Sequence, residues 1–458
     1  MKRMNTLDIF NPASGDLIAT LEADDAASVA DKAAAARAAQ PVWAAVPMAQ
    51  RLAVMRRFRA GLVAELDILA ATLTAEMGKP ISQARNEING VLPRIDFFLE
   101  QTAAALADEQ VFDAGGMREQ ISHIPLGVVA NISAWNYPYF VGCNVIVPAL
   151  LTGNAVLYKP SEFATLSGRH ITRLLHAAGV PADAMQCLVG AGAVGAALLE
   201  QRIDGLFFTG SHATGQRIAQ ALAPRLVKLQ LELGGKDPSY VRADADPLAA
   251  AQSLADGAMY NTGQSCCSVE RIYVHQSVHD AFVAHFLAAV ATLKAGDPMD
   301  PATNLGAITR APQLAVLQAQ VADAVAKGAV LRCGGRRRPG PGNGFEATVL
   351  TNVDHRMEIM IEESFGPVIG IQKVASDEEA IELMNDTRYG LTAGVYTKDE
   401  AAARALLARI NAGSVYWNCC DRVSPRLPWS GHGDSGLGVT LSTRGILWDW
   451  MCTAKKKS

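Results

Sequence analysis

In Gly127-Val128-Val129-Ala130-Asn131-Ile132 a glycine precedes a short apolar run, too brief for a helix, that closes on polar residues. Such a run reads as a strand buried on both faces. Residues 155–158, 185–189 and 206–208 repeat the pattern, and helix-period segments near 140–151, 165–178, 193–201 and 212–222 lie between them. Strands alternating with helices predict an α/β fold with a doubly wound parallel sheet. Upstream, residues 5–22 predict two strands around the turn formers Asn11-Pro12-Ala13-Ser14-Gly15. Asp24 and Asp25 stand where an N-cap belongs, before an alanine-rich helix to about residue 39. Amphipathic helices over about 48–76, with Gly61 as a candidate break, and 80–106 are divided by Gly78-Lys79-Pro80, a glycine stop and a proline start. Residues 109–125, with Gly115-Gly116, predict a hairpin leaving the domain. Downstream, a second alternating region runs from about 246 to 410, with helices near 246–261, 277–294, 311–327, 376–385 and 399–409.

A chain of 458 residues exceeds one ordinary hydrophobic core, so two or three domains are expected. Half the residues are apolar and 19% charged, an ordinary globular composition. With 41 basic against 45 acidic residues the formal charge is −4, which argues against nucleic acid or an anionic membrane surface as partner. Arg336-Arg337-Arg338 and Lys455-Lys456-Lys457 read as solvated surface. The eight cysteines show neither a CxxC pair nor metal-ligand spacing, so reduced thiols in a cytoplasmic protein, and no metal, are expected. The most apolar stretch, 128–158, is interrupted by Asn131, Asn136, Pro138, Asn144, Pro148 and Asn154. It falls short of the roughly 18 uninterrupted apolar residues a membrane helix needs. Met1 to Thr6 are not followed by an apolar signal core.

Two stretches carry chemistry. Gly190-Ala191-Gly192-Ala193-Val194-Gly195 matches GxGxxG between a predicted strand and a predicted helix, the setting of a dinucleotide fingerprint. Asp204 follows too early to be its acidic partner, so the glycines read equally as close helix-on-strand packing. Asn261-Thr262-Gly263-Gln264-Ser265-Cys266-Cys267 holds two adjacent thiols, and Glu232 lies upstream in Leu231-Glu232-Leu233-Gly234-Gly235-Lys236. A thiol with a carboxylate is a candidate nucleophile and base, because the thiolate is the reactive form. A buried cysteine is otherwise a small apolar filler.

Pro125-Leu126-Gly127-Val128 through Trp135-Asn136-Tyr137-Pro138, Lys159-Pro160-Ser161-Glu162, Phe208-Thr209-Gly210-Ser211, the Glu232 and Cys266 segments, and Glu363-Ser364-Phe365-Gly366-Pro367 occur in one order. Asn418 and Pro428-Trp429-Ser430-Gly431 continue it. Together, over essentially the whole chain, they resemble the NAD(P)-dependent aldehyde dehydrogenase superfamily. The resemblance implies a Rossmann-type dinucleotide domain over 1–106 and 126–234, an α/β catalytic domain over 235–438, and a small β oligomerisation extension from 107–125 and 439–458. The partner of the 109–125 hairpin would be residues 439–442 or the strand-like segment after them. It also implies oxidation of an aldehyde to a carboxylic acid through a thiohemiacetal and a thioester on Cys266, in a homodimer or homotetramer. Asn136 matches the oxyanion donor and Glu232 the general base; Cys267 reads as packing.

For the cofactor, Trp135, Lys159, Ser161, Glu162, Gly210, Ser211, Leu233, Glu363 and Phe365 match binding positions, with Glu362 a neighbour of Glu363 if the register slips. Glu162 favours NAD, since a carboxylate accepts from a ribose 2′-hydroxyl and repels a 2′-phosphate, while Lys159 leaves NADP open. Gly210 and Ser211 open a helix whose N-terminus suits a diphosphate, which moves that site away from the literal GxGxxG. The chain departs from the family in Trp429-Ser430-Gly431 and His432-Gly433-Asp434-Ser435-Gly436, where Phe-Gly-Gly and a lysine are usual. Tyr137, Val141, Val423 and Trp429 then predict a narrow aldehyde tunnel suited to apolar or aromatic aldehydes. Arg422 or Arg426 in that tunnel would favour an acidic substrate such as succinate semialdehyde; both also read as structural or interfacial. A cofactor-independent cysteine esterase is the rival activity.

Overall fold

The computed structural model describes residues 5–448 and 450–457, with side chains to residue 447. Its first sheet has six strands in the order Gly436–Leu437, Lys228–Glu232, Gly205–Thr209, Val128–Ile132, Ala155–Lys159 and Met185–Cys187. All pair in parallel except the edge strand Gly436–Leu437. From Val128–Ile132 the chain works outward to Met185–Cys187, then crosses to the other side at Gly205–Thr209. That reversal opens a crevice at the carboxyl ends of Val128–Ile132 and Gly205–Thr209, where sheets of this type bind ligands. Asp204 belongs to the opposite end. Its carboxylate accepts from the Val128 N–H at 2.7 Å, and a Cβ on Gly127 (φ 130°) would fall 2.2 Å from the same oxygen. The acid that followed GxGxxG too early therefore closes the strand start and stands away from the crevice.

Helices cover both faces. Val29, Ala33, Val194, Leu198 and Ile218 seal one side and Met55, Phe58, Leu73, Ile88 and Ile146 the other. Asp25 and Ser28 form a reciprocal capping box, both bonds 2.9 Å, at the start of Ala26–Ala44. That helix runs past residue 39 and through Pro41 because Trp43 is buried, its indole N–H donating to Leu150 O at 2.9 Å. The break in the next helical stretch falls at Glu65, between Met48–Ala64 and Leu66–Met77. Gly61 is instead a close approach, with a Cβ there only 3.1 Å from Leu174 Cδ2.

The second sheet has seven strands in the order Val330–Cys333, Thr348–Thr351, Val368–Val374, Val269–His275, Asp237–Val241, Thr392–Tyr396 and Ser414–Trp417, parallel apart from the first pair. The chain passes between the sheets through Leu233-Gly234-Gly235-Lys236. Glu232 thus ends a strand of one sheet while Cys266 lies just before Val269–His275 of the other. A hairpin, Glu109–Ala114 and Met117–Pro125, takes Trp450–Lys457 as its third strand, so the terminal segment and not 439–442 is its partner. The side chains of Lys455-Lys456-Lys457 lie outside the described residues. Among the described residues no helix is long and apolar enough to cross a membrane.

Candidate active site

A cavity of about 810 Å³ fills the crevice between the sheets, and Asn136, Glu232 and Cys266 all line it. The turn before the thiol is held against its preference. Asn261 (φ 53°) and Thr262 (φ 58°) are left-handed, and a β-branched residue in that region is strained. Neighbouring segments over-determine it. Gly306 N donates to Thr262 Oγ1 and Thr309 N to Gln264 Oε1, each at 2.9 Å, while a Cβ on Gly263 would meet Gly366 O at 2.2 Å.

Glu232 is buried. Trp429 Nε1 donates to one carboxylate oxygen at 3.3 Å, and the other oxygen has no hydrogen-bond partner among the described residues. Burial raises its pKa, opposed in part by Cys266, Trp429 and Thr209. Cys267, burial and Glu232 together hold the Cys266 thiol well above its usual range. Both shifts favour the proton-bearing forms, and a carboxylate whose pKa burial raises can take and return protons beside a thiol. The buried Asn136 faces the same loop. Its Nδ2 donates to Gln264 O at 3.2 Å, and its backbone carbonyl accepts from Lys79 Nζ at 2.7 Å. An amide has two N–H donors, so one remains for a substrate oxygen.

The remaining wall comes from the carboxyl ends of the parallel strands. Lys159 is buried, with Nζ 3.8 Å from Glu162 Oε2, which also accepts from Ser161 Oγ at 3.3 Å. Gly210 and Ser211 precede the helix His212–Leu222, and Ser211 Oγ donates to Thr214 Oγ1 at 3.0 Å. Gly192 and Gly195 of the literal motif border the same cavity on the helix Gly192–Leu199; a Cβ on Gly195 would sit 3.7 Å from Lys159 Cδ, and one on Gly192 would meet nothing. Leu233 and Gly234 lie at the crossing between the sheets. Trp135 meets Phe365 edge-on at 5.5 Å. Glu363 lines the cavity and accepts from Gly235 N at 3.0 Å; burial, reinforced by Glu270, pushes its pKa up to about 8. Glu362 instead pairs with Arg388 at 2.8 Å in a partly exposed ion pair.

The structure adds Glu270, which the motifs missed. Its carboxylate accepts from Lys236 Nζ (2.6 Å), Ser364 N (2.8 Å) and Phe365 N (2.9 Å), so it holds the loop that carries Glu363. Two charges, Glu270 and Arg271, inside the buried strand run 269–274 were the available signal, since buried charges require partners. Tyr137, Val141, Val423 and Trp429 do not line the large cavity. Tyr137 stacks on Phe140 at 5.6 Å with Lys79 Nζ 3.8 Å from its ring, and Val423 and Trp429 pack in the apolar cluster that contains Cys266 and Cys267. The Arg422 and Arg426 side chains are exposed. Among the described residues no group of three His, Cys, Asp or Glu could hold a metal, and seven cysteines are free.

The aldehyde dehydrogenase family profile matches residues 1–454. The chain belongs to the aldehyde dehydrogenase family. It is 37% identical over 442 residues to 3,6-anhydro-alpha-L-galactose dehydrogenase of Streptomyces coelicolor, covering 94% of this chain and 89% of that protein. It is 35% identical to succinate-semialdehyde dehydrogenase [NADP(+)] 1 of Mycobacterium tuberculosis, covering 95% and 96%. A crystal structure of indole-3-acetaldehyde dehydrogenase complexed with NAD+ superposes with a TM-score of 0.96 at 34% identity, covering 99% of this chain and 93% of that one. The protein is thus an NAD(P)-dependent aldehyde-oxidising enzyme with the aldehyde dehydrogenase α/β fold. The cavity suits that cofactor. Glycine-lined helix walls leave room for an extended ligand, hydroxyls stand at a helix N-terminus, and the carboxylates of Glu162 and Glu363 line the same cavity.

Proposed function

We propose that this dehydrogenase oxidises an aldehyde to its carboxylic acid through covalent chemistry on Cys266, with NAD preferred over NADP. Glu232 takes the thiol proton, directly or through water, and Cys266 Sγ bonds to the aldehyde carbon. Asn136 Nδ2 and the Cys266 backbone N–H hold the oxygen of the thiohemiacetal, where negative charge develops. Nicotinamide, when bound, accepts the hydride, which leaves an acyl thioester on Cys266. Once Glu232 has released the thiol proton to solvent, it removes a proton from water as the water attacks the thioester; the carboxylic acid leaves, and the Cys266 thiolate takes that proton back from Glu232. The observation that carries this reading is the convergence of Cys266, Glu232 and Asn136 on the cavity that Lys159, Glu162, Ser211 and Glu363 also line.

Glu162 beside Lys159 supports NAD, because its carboxylate would oppose a 2′-phosphate. A homodimer or homotetramer assembled through the projecting three-stranded sheet, in the cytoplasm where the free cysteines stay reduced, completes the reading. Trp429 against Glu232 and the Tyr137–Phe140 stack favour apolar or aromatic aldehydes. The experiment is a panel of apolar, aromatic and carboxylated aldehydes, each scored by NADH and NADPH formation. Ester cleavage without reduction of either cofactor on any aldehyde would refute it in favour of a hydrolase.

A further inference from the structure

One carboxylate on the far side of Cys266 has no part in the chemistry above. Asp421 follows the strand Ser414–Trp417 in a left-handed conformation (φ 45°). A single oxygen, Oδ1, accepts from Cys267 Sγ at 3.0 Å and from Ser265 Oγ at 3.3 Å. These are the two residues that flank Cys266. Cys267, assigned to packing by its sequence context, is buried but spends its thiol proton on Asp421. Burial with repulsion from Asp256 pushes Asp421 up to about 7, and Lys79 opposes this along with the two donors. Glu232 and Cys266 line the cavity, while Asp421 does not line it and holds Cys267 instead.

We propose that Asp421 is a positioning residue for the nucleophile, gripping Ser265 and Cys267 so that Cys266 is held toward Glu232 and the cavity. The strained turn at Asn261 and Thr262 anchors the loop on its amino side. On the carboxyl side, Ser268 N donates to Ser265 O at 3.2 Å and Ser268 Oγ to Gly257 O at 3.0 Å, and the Ser265 and Cys267 donors to Asp421 add an anchor on the two residues that flank Cys266. Asp421 touches neither reacting atom and acts through its two neighbours. The inference rests on Cys266 being the nucleophile.

The test measures the single-turnover burst of NADH with propanal as the probe aldehyde, and NAD affinity by quenching of protein fluorescence. Asp421→Ala and Cys267→Val should each slow the burst by roughly 10- to 100-fold, the range expected of a misplaced reacting group, with KM for propanal and NAD affinity little changed. Cys267→Ser, which keeps a donor, and Asp421→Asn, which keeps an acceptor, should recover most of the rate. If Asp421→Ala does not fold, the Cys267→Val and Cys267→Ser pair decides. Wild-type bursts in Asp421→Ala and Cys267→Val, or a defect in Cys267→Val that serine does not relieve, would overturn the inference while Cys266→Ala remains inactive. Turnover surviving in Cys266→Ala would overturn the underlying reading, and this inference with it.

Discussion

On the cavity side of Cys266, where the proposed cofactor would lie, much of the wall comes from segments at the carboxyl ends of neighbouring parallel strands: residues 133–136, 159–162, 210–211 and 232–234. Behind Cys266, off the cavity, Lys79, Tyr137, Asp421 and Trp429 come from four separate segments, and none belongs to a strand of either large sheet. The first side is set by backbone topology, which requires a crevice where strand order reverses. The second is set by side chains meeting across a packed core. Its polar members are correspondingly desolvated: Lys79 and Glu87 form a 2.5 Å pair with no solvent exposure. Under the proposed function, Cys266, Glu232 and Asn136 work at the boundary of the two, and selectivity for the aldehyde would fall to the side that topology leaves free.

Substitutions at that boundary should have the largest effects. Cys266→Ala should lower aldehyde oxidation by at least about 10⁴-fold, as removal of a nucleophile does, and leave NAD affinity intact in a fluorescence titration. Loss of both together would mean that the thiol also organises the cofactor side. Asn136→Ala should reduce kcat by roughly 100- to 1,000-fold, the loss typical of one oxyanion donor. A change confined to KM would place its amide in ground-state binding. For Glu232→Gln, steady-state turnover should fall by roughly 100-fold or more, the lower range for a lost general base, while a burst of NADH survives if thioester hydrolysis is the step that suffers most. Because burial raises the Glu232 pKa, hydrolysis in the wild type should increase as pH rises above the ordinary glutamate range. That limb should vanish in the glutamine variant.

Smaller effects sharpen the cofactor side alone. Glu162→Ala should raise the ratio of kcat/KM with NADP to that with NAD by roughly tenfold, the equivalent of about 1.4 kcal/mol of relieved repulsion. An unchanged ratio would remove Glu162 from cofactor choice. Glu363 binds its proton more tightly in the folded protein than in the unfolded chain. Its contribution to stability is complete below the ordinary glutamate range and is lost as pH rises through about 8. Tm should therefore decline between pH 5 and 9, and Glu363→Gln should flatten the decline.

The same contrast governs what could be read without coordinates. Val128–Ile132 and its sister strands were legible because burial on both faces leaves continuous apolar runs. The capped start at Asp25 was legible because a cap is a local device. The ends of Ala26–Ala44 and of Met48–Ala64 were not: Trp43 of the first is tied to Leu150 across the fold, and the break at Glu65 has neither glycine nor proline to mark it. GxGxxG borders the cavity through Gly192 and Gly195, yet Asp204, its nearest acid, closes a strand start at the other end of the sheet. Glu270 and Asp421 left no motif. Each holds a loop by accepting from donors more than 90 or 150 residues away in sequence, which only the folded chain brings to them.

An acyl group passing through Cys266 is the central step of the proposed reaction. Quenching Glu232→Gln in acid during turnover with NAD and propanal, then mapping the digested protein by mass spectrometry, tests this most directly. A propanoyl adduct on the peptide bearing Cys266, in amount equal to the NADH burst, is the expected result. An NADH burst with no adduct there, or with the acyl group on Cys267 or another residue, would contradict it.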